Sequence, residues 1–174
     1  MAILPGGGGR RTRCACPHGL HGRIRRQRVV RQGPPTADVD VLEILPQAAA
    51  VRMASIASRG GPLFRKYGIY LEQGSVAHLP ENYERRLAEM FPGAFQRLRV
   101  MALDRYDLAL SKLARNSGRD REDVWYLART VPFDLDVLRD RYQAELRWQV
   151  AVPEREDLTL KLWTDVIQEQ RRGR

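Results

Sequence analysis

The stretch DRYDLALSKLARNSGRDREDVWYLA, residues 104–128, decides how the second half of the chain folds. Asp104 stands where an N-cap belongs, Asp107 follows at the third helical position, and Asn116-Ser117-Gly118 supplies a stop. Asp120 then reads as the cap of a second helix, with Asp123 three residues on. Leu108, Leu110, Leu113 and Ala114 give the first helix an apolar face, with Ser111 and Lys112 at its flank. Lys112 is one of three lysines among thirty basic residues. A chain that otherwise writes positive charge as arginine keeps here a flexible point charge, the kind that meets a phosphate. A solvated helix flank has the same composition, so both readings stand at this point.

Working outward, residues 38–45 read as a strand in which Asp38 and Asp40 are set among Val39, Val41, Leu42, Ile44 and Leu45. Side chains two apart in a strand point to one face, so the two carboxylates project together. Two hard oxygens on one face suit magnesium, which usually binds through one or two carboxylates plus substrate phosphates. A polar turn ahead of a strand would use the same letters. The next strand is predicted at residues 68–72, where Glu72 is the only acid; it reads either as a third carboxylate or as an exposed strand end. Tyr70 shares its face and reads as packing or a pocket wall.

The spacing Asp107-Leu108, Lys112-Leu113, Arg119-Asp120 and Asp123-Val124, together with Thr36-Ala37-Asp38-Val39-Asp40-Val41, resembles AbiEii-like bacterial nucleotidyltransferases, and within them an uncharacterised branch. The resemblance runs over residues 36–167. It implies a polymerase-beta-type α+β fold, a small mixed sheet followed by a C-terminal set of helices. It also implies transfer of a nucleotide from a nucleoside triphosphate to an RNA or protein hydroxyl. In that reading Asp38 and Asp40 hold magnesium, Glu72 activates the acceptor, Lys112 contacts phosphate, and Asp123 orients Lys112 or the acceptor. The resembled group is associated with toxin-antitoxin and phage-defence modules, which implies an antitoxin partner. Such proteins carry a Gly-Gly or Gly-Ser turn ahead of the D-x-D strand, and this chain has none at a suitable distance.

Charge divides the chain at about residue 32. Residues 1–32 hold eight arginines, no lysine and no acid, and so carry +8 of the formal +9, leaving residues 33–174 nearly neutral. The first part is expected to be a basic, disordered arm outside the fold, able to meet nucleic acid or an acidic partner. A displaced start or frameshift in an arginine-rich coding sequence would also produce it. Residues 33–174 are expected to form a single domain. Cys14, Cys16, His18 and His21 are zinc-ligand types, but their spacing is too cramped for the usual zinc fingers. Cys14 and Cys16 are also too close to bridge comfortably, which fits a reducing cytoplasm. No apolar run approaches the ~20 residues of a membrane helix.

Beyond the strands already placed, Pro46 opens a helix to about residue 58, and a short turn covers residues 62–66. Residues 81–90 are ambiguous, and residues 98–103 form a strand. Helices at residues 104–116, 121–129, 135–148 and 154–169 are expected to cover one side of the sheet, with Trp125, Trp148 and Trp163 packed among them. Two functions follow: a magnesium-dependent nucleotidyltransferase, or a catalytically inactive module of the same fold that binds through its basic arm. A zinc-stapled nucleic-acid binder is a third reading.

Overall fold

The computed structural model describes residues 2–4, 37–74 and 78–173. Six short strands and six helices follow the order β1 (Ala2–Leu4), β2 (Asp38–Val41), β3 (Glu43–Ile44), α1 (Gln47–Ala57), α2 (Pro62–Tyr67), β4 (Tyr70–Gln73), β5 (Ala88–Met90), β6 (Arg99–Ala102), α3 (Arg105–Leu110), α4 (Gly118–Thr130), α5 (Leu135–Arg141) and α6 (Pro153–Arg172). All six strands precede α3, with α1 and α2 set among them, and α3 to α6 follow, which is the α+β architecture expected. Among the described residues no helix is long and apolar enough to cross a membrane.

The strands form two small sheets. One has the order β3-β1-β6-β5, with β1 parallel to β3 and antiparallel to β6. The other joins β2 and β4 in parallel. Two expectations are corrected here. The single strand over residues 38–45 is divided at Leu42 into β2 and β3, which pair in different sheets. Ala2–Leu4, expected in an arm outside the fold, pair as an inner strand. The rest of that arm, with Cys14, Cys16, His18 and His21, lies outside the described residues.

Local chemistry explains the helices. α1 is rich in alanine and begins directly after Pro46. Residues 62–67 are a helix rather than the expected turn: Pro62 opens it after Gly61, and Gly68 closes it in the left-handed region at φ 69°, donating its N–H to the Phe64 carbonyl. Asp104 caps α3 as predicted, accepting the N–H groups of Tyr106 and Asp107 at 3.0 and 2.9 Å. The ambiguous segment resolves into a 3-10 turn at Tyr83–Arg86 followed by β5.

The four later helices build a core of their own. Leu110, Leu113, Val124, Leu138, Tyr142, Leu146, Trp163 and Ile167 are all buried in one cluster to which no strand residue belongs. Each such side chain stabilises the fold by roughly 1.5–3 kcal/mol. Trp163 and Trp125 pack there as expected, but Trp148 stands 65% exposed on the 3-10 turn before α6.

A charge network ties the strand-rich half to this core. Arg86 grips the fully buried Asp107 with two hydrogen bonds of 2.9 Å and reaches Glu145 at 2.8 and 3.0 Å. Arg141 joins from α5, bonding Asp104 at 2.6 Å and Asp107 at 3.0 Å. The Arg86 guanidinium is held above its usual range, first by its bonds to Asp107, against the cost of burial. The Glu145 carboxyl is held low by Arg86.

Candidate active site

β2 and β4 bring the expected acids together. Their parallel register sets Asp38 opposite Tyr70 and Asp40 opposite Glu72. Asp38 and Asp40 share a face because they are two apart, and Glu72 joins it because it lies directly across from Asp40. One carboxylate oxygen from each of the three lies within 4.8 Å of the others. On the opposite face Val41 is fully buried and anchors the strand. Asp40 and Glu72 face solvent, and Asp38 is half-buried.

The donor set fits a hard divalent cation. Oxygens bound to magnesium at about 2.1 Å stand at most about 4.2 Å apart, so a cluster held within 4.8 Å closes on an ion by small side-chain rotations. Tyr70 meets Phe64 edge-on at 5.7 Å between ring centroids, and Arg59 lies 5.8 Å from its ring, which makes Tyr70 a wall beside the acids.

The second group of predicted residues is assembled by the turn between α3 and α4. Beyond Leu110 the chain continues as a tightened spiral, with Lys112 N–H bonding Ala109 O at 3.1 Å and Asn116 N–H bonding Lys112 O at 2.9 Å. Asn116 then takes a positive φ of 44° and reverses the chain. Asn116 is also the hinge pin of the turn: its side-chain oxygen accepts Trp163 Nε1–H at 3.1 Å, and its carbonyl accepts Arg121 at 2.7 Å.

The cap of α4 differs from the sequence expectation. Ser117 is the N-cap and Asp120 the third residue, and the two exchange hydrogen bonds in a capping box. The shift has a physical reason: a serine followed by glycine offers a hydroxyl to the helix start, and the aspartate three residues on reaches back to it. Asp123 therefore lies one turn further into the helix. Asp120 and Asp123, three apart, face the same way.

Lys112 sits between them. Its ammonium bonds Asp123 at 2.8 Å and approaches Asp120 at 3.7 Å. Beside the pair lies a cleft of about 180 Å³ walled by Leu108, Ala109, Val124 and Leu127. It is smaller than the roughly 300–1,000 Å³ of a whole small-molecule site, so it has room for part of a ligand.

Arg115 is the residue that sequence reading missed. It grips Asp120 with bonds of 2.8 and 2.6 Å while its side chain stays 72% exposed. Its guanidinium is held above the usual range, first by those bonds and further by the charges of Asp120, Asp40 and Asp123. Arg115 thus feels both groups, the strand carboxylates through Asp40 and the helix pair through Asp123. The Asp120 carboxyl is held well below the usual range by Arg115, with help from Ser117 and against burial. The available signal was an arginine three residues after Lys112 and five before Asp120, close enough to turn onto the same acids.

A D-x-D strand joined in parallel to a strand bearing a third acid, followed by a capped lysine–aspartate helix pair, fits the nucleotidyltransferase class. The chain belongs to a family described as nucleotidyltransferase of unknown function (DUF6036), whose model matches residues 29–171. No curated protein and no solved structure matches it. The match takes in both groups of site residues, and membership implies a nucleotide substrate.

Proposed function

We propose that the protein is a magnesium-dependent nucleotidyltransferase of the AbiEii-like type, which passes a nucleotide from a nucleoside triphosphate to a hydroxyl on RNA or protein. The observation that carries this reading is the cluster of Asp38, Asp40 and Glu72 within 4.8 Å on neighbouring strands. Asp38 and Asp40 would hold the cation, which would offset negative charge on the phosphates. Glu72 takes the proton of the acceptor hydroxyl as its oxygen bonds to the α-phosphorus, and the bond to the β-phosphate breaks to release pyrophosphate. Lys112 supplies a positive charge to the phosphates, and Asp123 fixes where that charge sits. Arg115, exposed and bonded to Asp120, adds a second cation. In this proposal the protein acts in a bacterial cytoplasm as the toxin of a toxin-antitoxin or phage-defence module, with an antitoxin as partner.

The second reading is a catalytically inactive module of the same fold. It is favoured by the lack of a Gly-Gly or Gly-Ser turn at a suitable distance ahead of Asp38, since oriented backbone N–H groups are poorly replaced by arginine side chains. One experiment separates the two. Calorimetric titration with magnesium and a nucleoside triphosphate, followed by labelled-nucleotide transfer onto RNA and protein pools, should give binding that Asp38→Ala with Asp40→Ala abolishes. Binding without transfer supports the inactive module; binding unchanged in the double variant removes these carboxylates from the site.

A further inference from the structure

We infer that three arginines on the helical half, Arg105, Arg129 and Arg171, form a phosphate-binding surface for a polynucleotide. The arginines of this half divide by what they hold. Arg115, Arg139, Arg141, Arg147 and Arg155 are each bonded to a carboxylate. Among the described residues Arg119, Arg121 and Arg172 make no ion pair but line neither of two concavities on this half; Arg105, Arg129 and Arg171, which do line them, also make none. They donate instead to backbone carbonyls: Arg105 to Pro132, Arg129 to Trp125 and Arg171 to Phe133. A carbonyl orients a guanidinium without cancelling its charge, and a guanidinium has five N–H donors, so most of each fork stays available.

The three line contiguous space. Arg105 and Arg171 border an open concavity of about 620 Å³ between α3, α5 and α6, together with Gln168. Arg129 and Arg171 border a second of about 210 Å³, so that Arg171 belongs to both. Two acids stand at the rim: Asp136 is paired with Arg139 at 3.0 Å, whereas Asp134 caps α5 through the Asp136 N–H at 2.8 Å and keeps its charge, which the two bordering arginines outnumber. Phe133 is buried and the Tyr106 ring is overlain by Arg105 and Arg141, so neither offers a free face to a base. The chemistry left is contact with phosphate, independent of sequence.

An open surface crossed by fixed cations suits a backbone running over it better than an enclosed nucleotide. None of Asp38, Asp40, Glu72 or Lys112 lines either concavity. The surface is therefore distinct from the site that would hold the triphosphate. Its assignment to the acceptor polymer rests on the nucleotidyl-transfer reading.

The test is fluorescence anisotropy of a labelled single-stranded RNA with the full chain, repeated over a series of salt concentrations. Arg105→Ala, Arg129→Ala and Arg171→Ala combined should weaken RNA binding about tenfold or more at low salt and flatten the slope of log affinity against log salt by about 2, at ~0.7 per lost contact. The corresponding triple lysine variant should keep the slope. Magnesium–ATP binding should be unchanged in both, so a failure of the nucleotidyltransferase reading would show up separately. An unchanged RNA slope in the alanine variant overturns the inference. So does loss of ATP binding with RNA binding intact, which would assign the surface to free nucleotide. If the triple alanine variant melts early, Arg129→Glu carries the same test, because its carbonyl partner lies within its own helix.

Discussion

The two halves of this molecule are held together by different means. The β2–β4 pair presents three acids on an accessible face and is anchored beneath by Val41. The helical half is built around a buried apolar cluster and closes its polar ends with caps and ion pairs. The strand half therefore concentrates acidic chemistry, and the helical half concentrates stability. Functional sites commonly keep like charges close at the expense of local stability, which a packed scaffold elsewhere makes tolerable.

That contrast breaks most visibly at Asp107. Asp107→Ala leaves Arg86 and Arg141 without their buried partner and should lower stability by about 3–5 kcal/mol, read as a large fall in denaturation midpoint. A shift under 1 kcal/mol would mean that the network does not join the halves. Asp120→Ala should cost about 2–3 kcal/mol, because the capping box is lost and Arg115 loses its buried partner.

Acid should act on the same scaffold. Asp120, Asp104 and Glu145 all have folded-state pKa values below their ordinary ones. Their contribution is complete above the unfolded values near 4 and is lost as pH falls through the lowered folded values. Asp120→Asn should flatten the acid limb of melting temperature against pH while lowering the neutral plateau. An acid limb as steep as that of the unaltered protein would show that Asp120 does not carry it.

Effects on the site should reverse this order. Lys112→Ala removes a charge flanked by Asp123 and Asp120 and should change stability by only about 1 kcal/mol, yet reduce nucleotide transfer by about a hundredfold or more. Equal losses in melting temperature and transfer would make Lys112 structural. The smallest effect is expected at Trp148: Trp148→Ala should shift stability by less than about 0.5 kcal/mol, since the ring is mostly exposed.

Much of this was legible in the residues because local rules carried it. The two-residue period of a strand placed Asp38 with Asp40, and a predicted neighbouring strand brought Glu72 to the same face. Asp104 was readable as a cap because its side chain serves N–H groups two and three residues away. Ser117 was misread because Ser117 and Asp120 are both good caps, and the choice between them depends on where Asn116 reverses the chain. The division of residues 38–45 between two sheets depends on β1, far away in sequence. The pairing of Arg86 with Asp107 and Glu145, and the separate helical core, likewise join residues no local pattern connects. Trp148 was misplaced because hydrophobicity alone does not tell which side of an irregular turn faces out.

The hydrogen bond from Trp163 to Asn116 gives the order of synthesis a role in assembling the molecule. The turn that brings Lys112 to Asp123 is translated some forty to fifty residues before the indole that pins it. Until α6 has been made, Asn116 lacks that donor and Leu113 and Val124 lack the wall that Trp163 and Ile167 provide. The turn that sets Lys112 against Asp123 therefore draws part of its support from a residue 47 positions downstream.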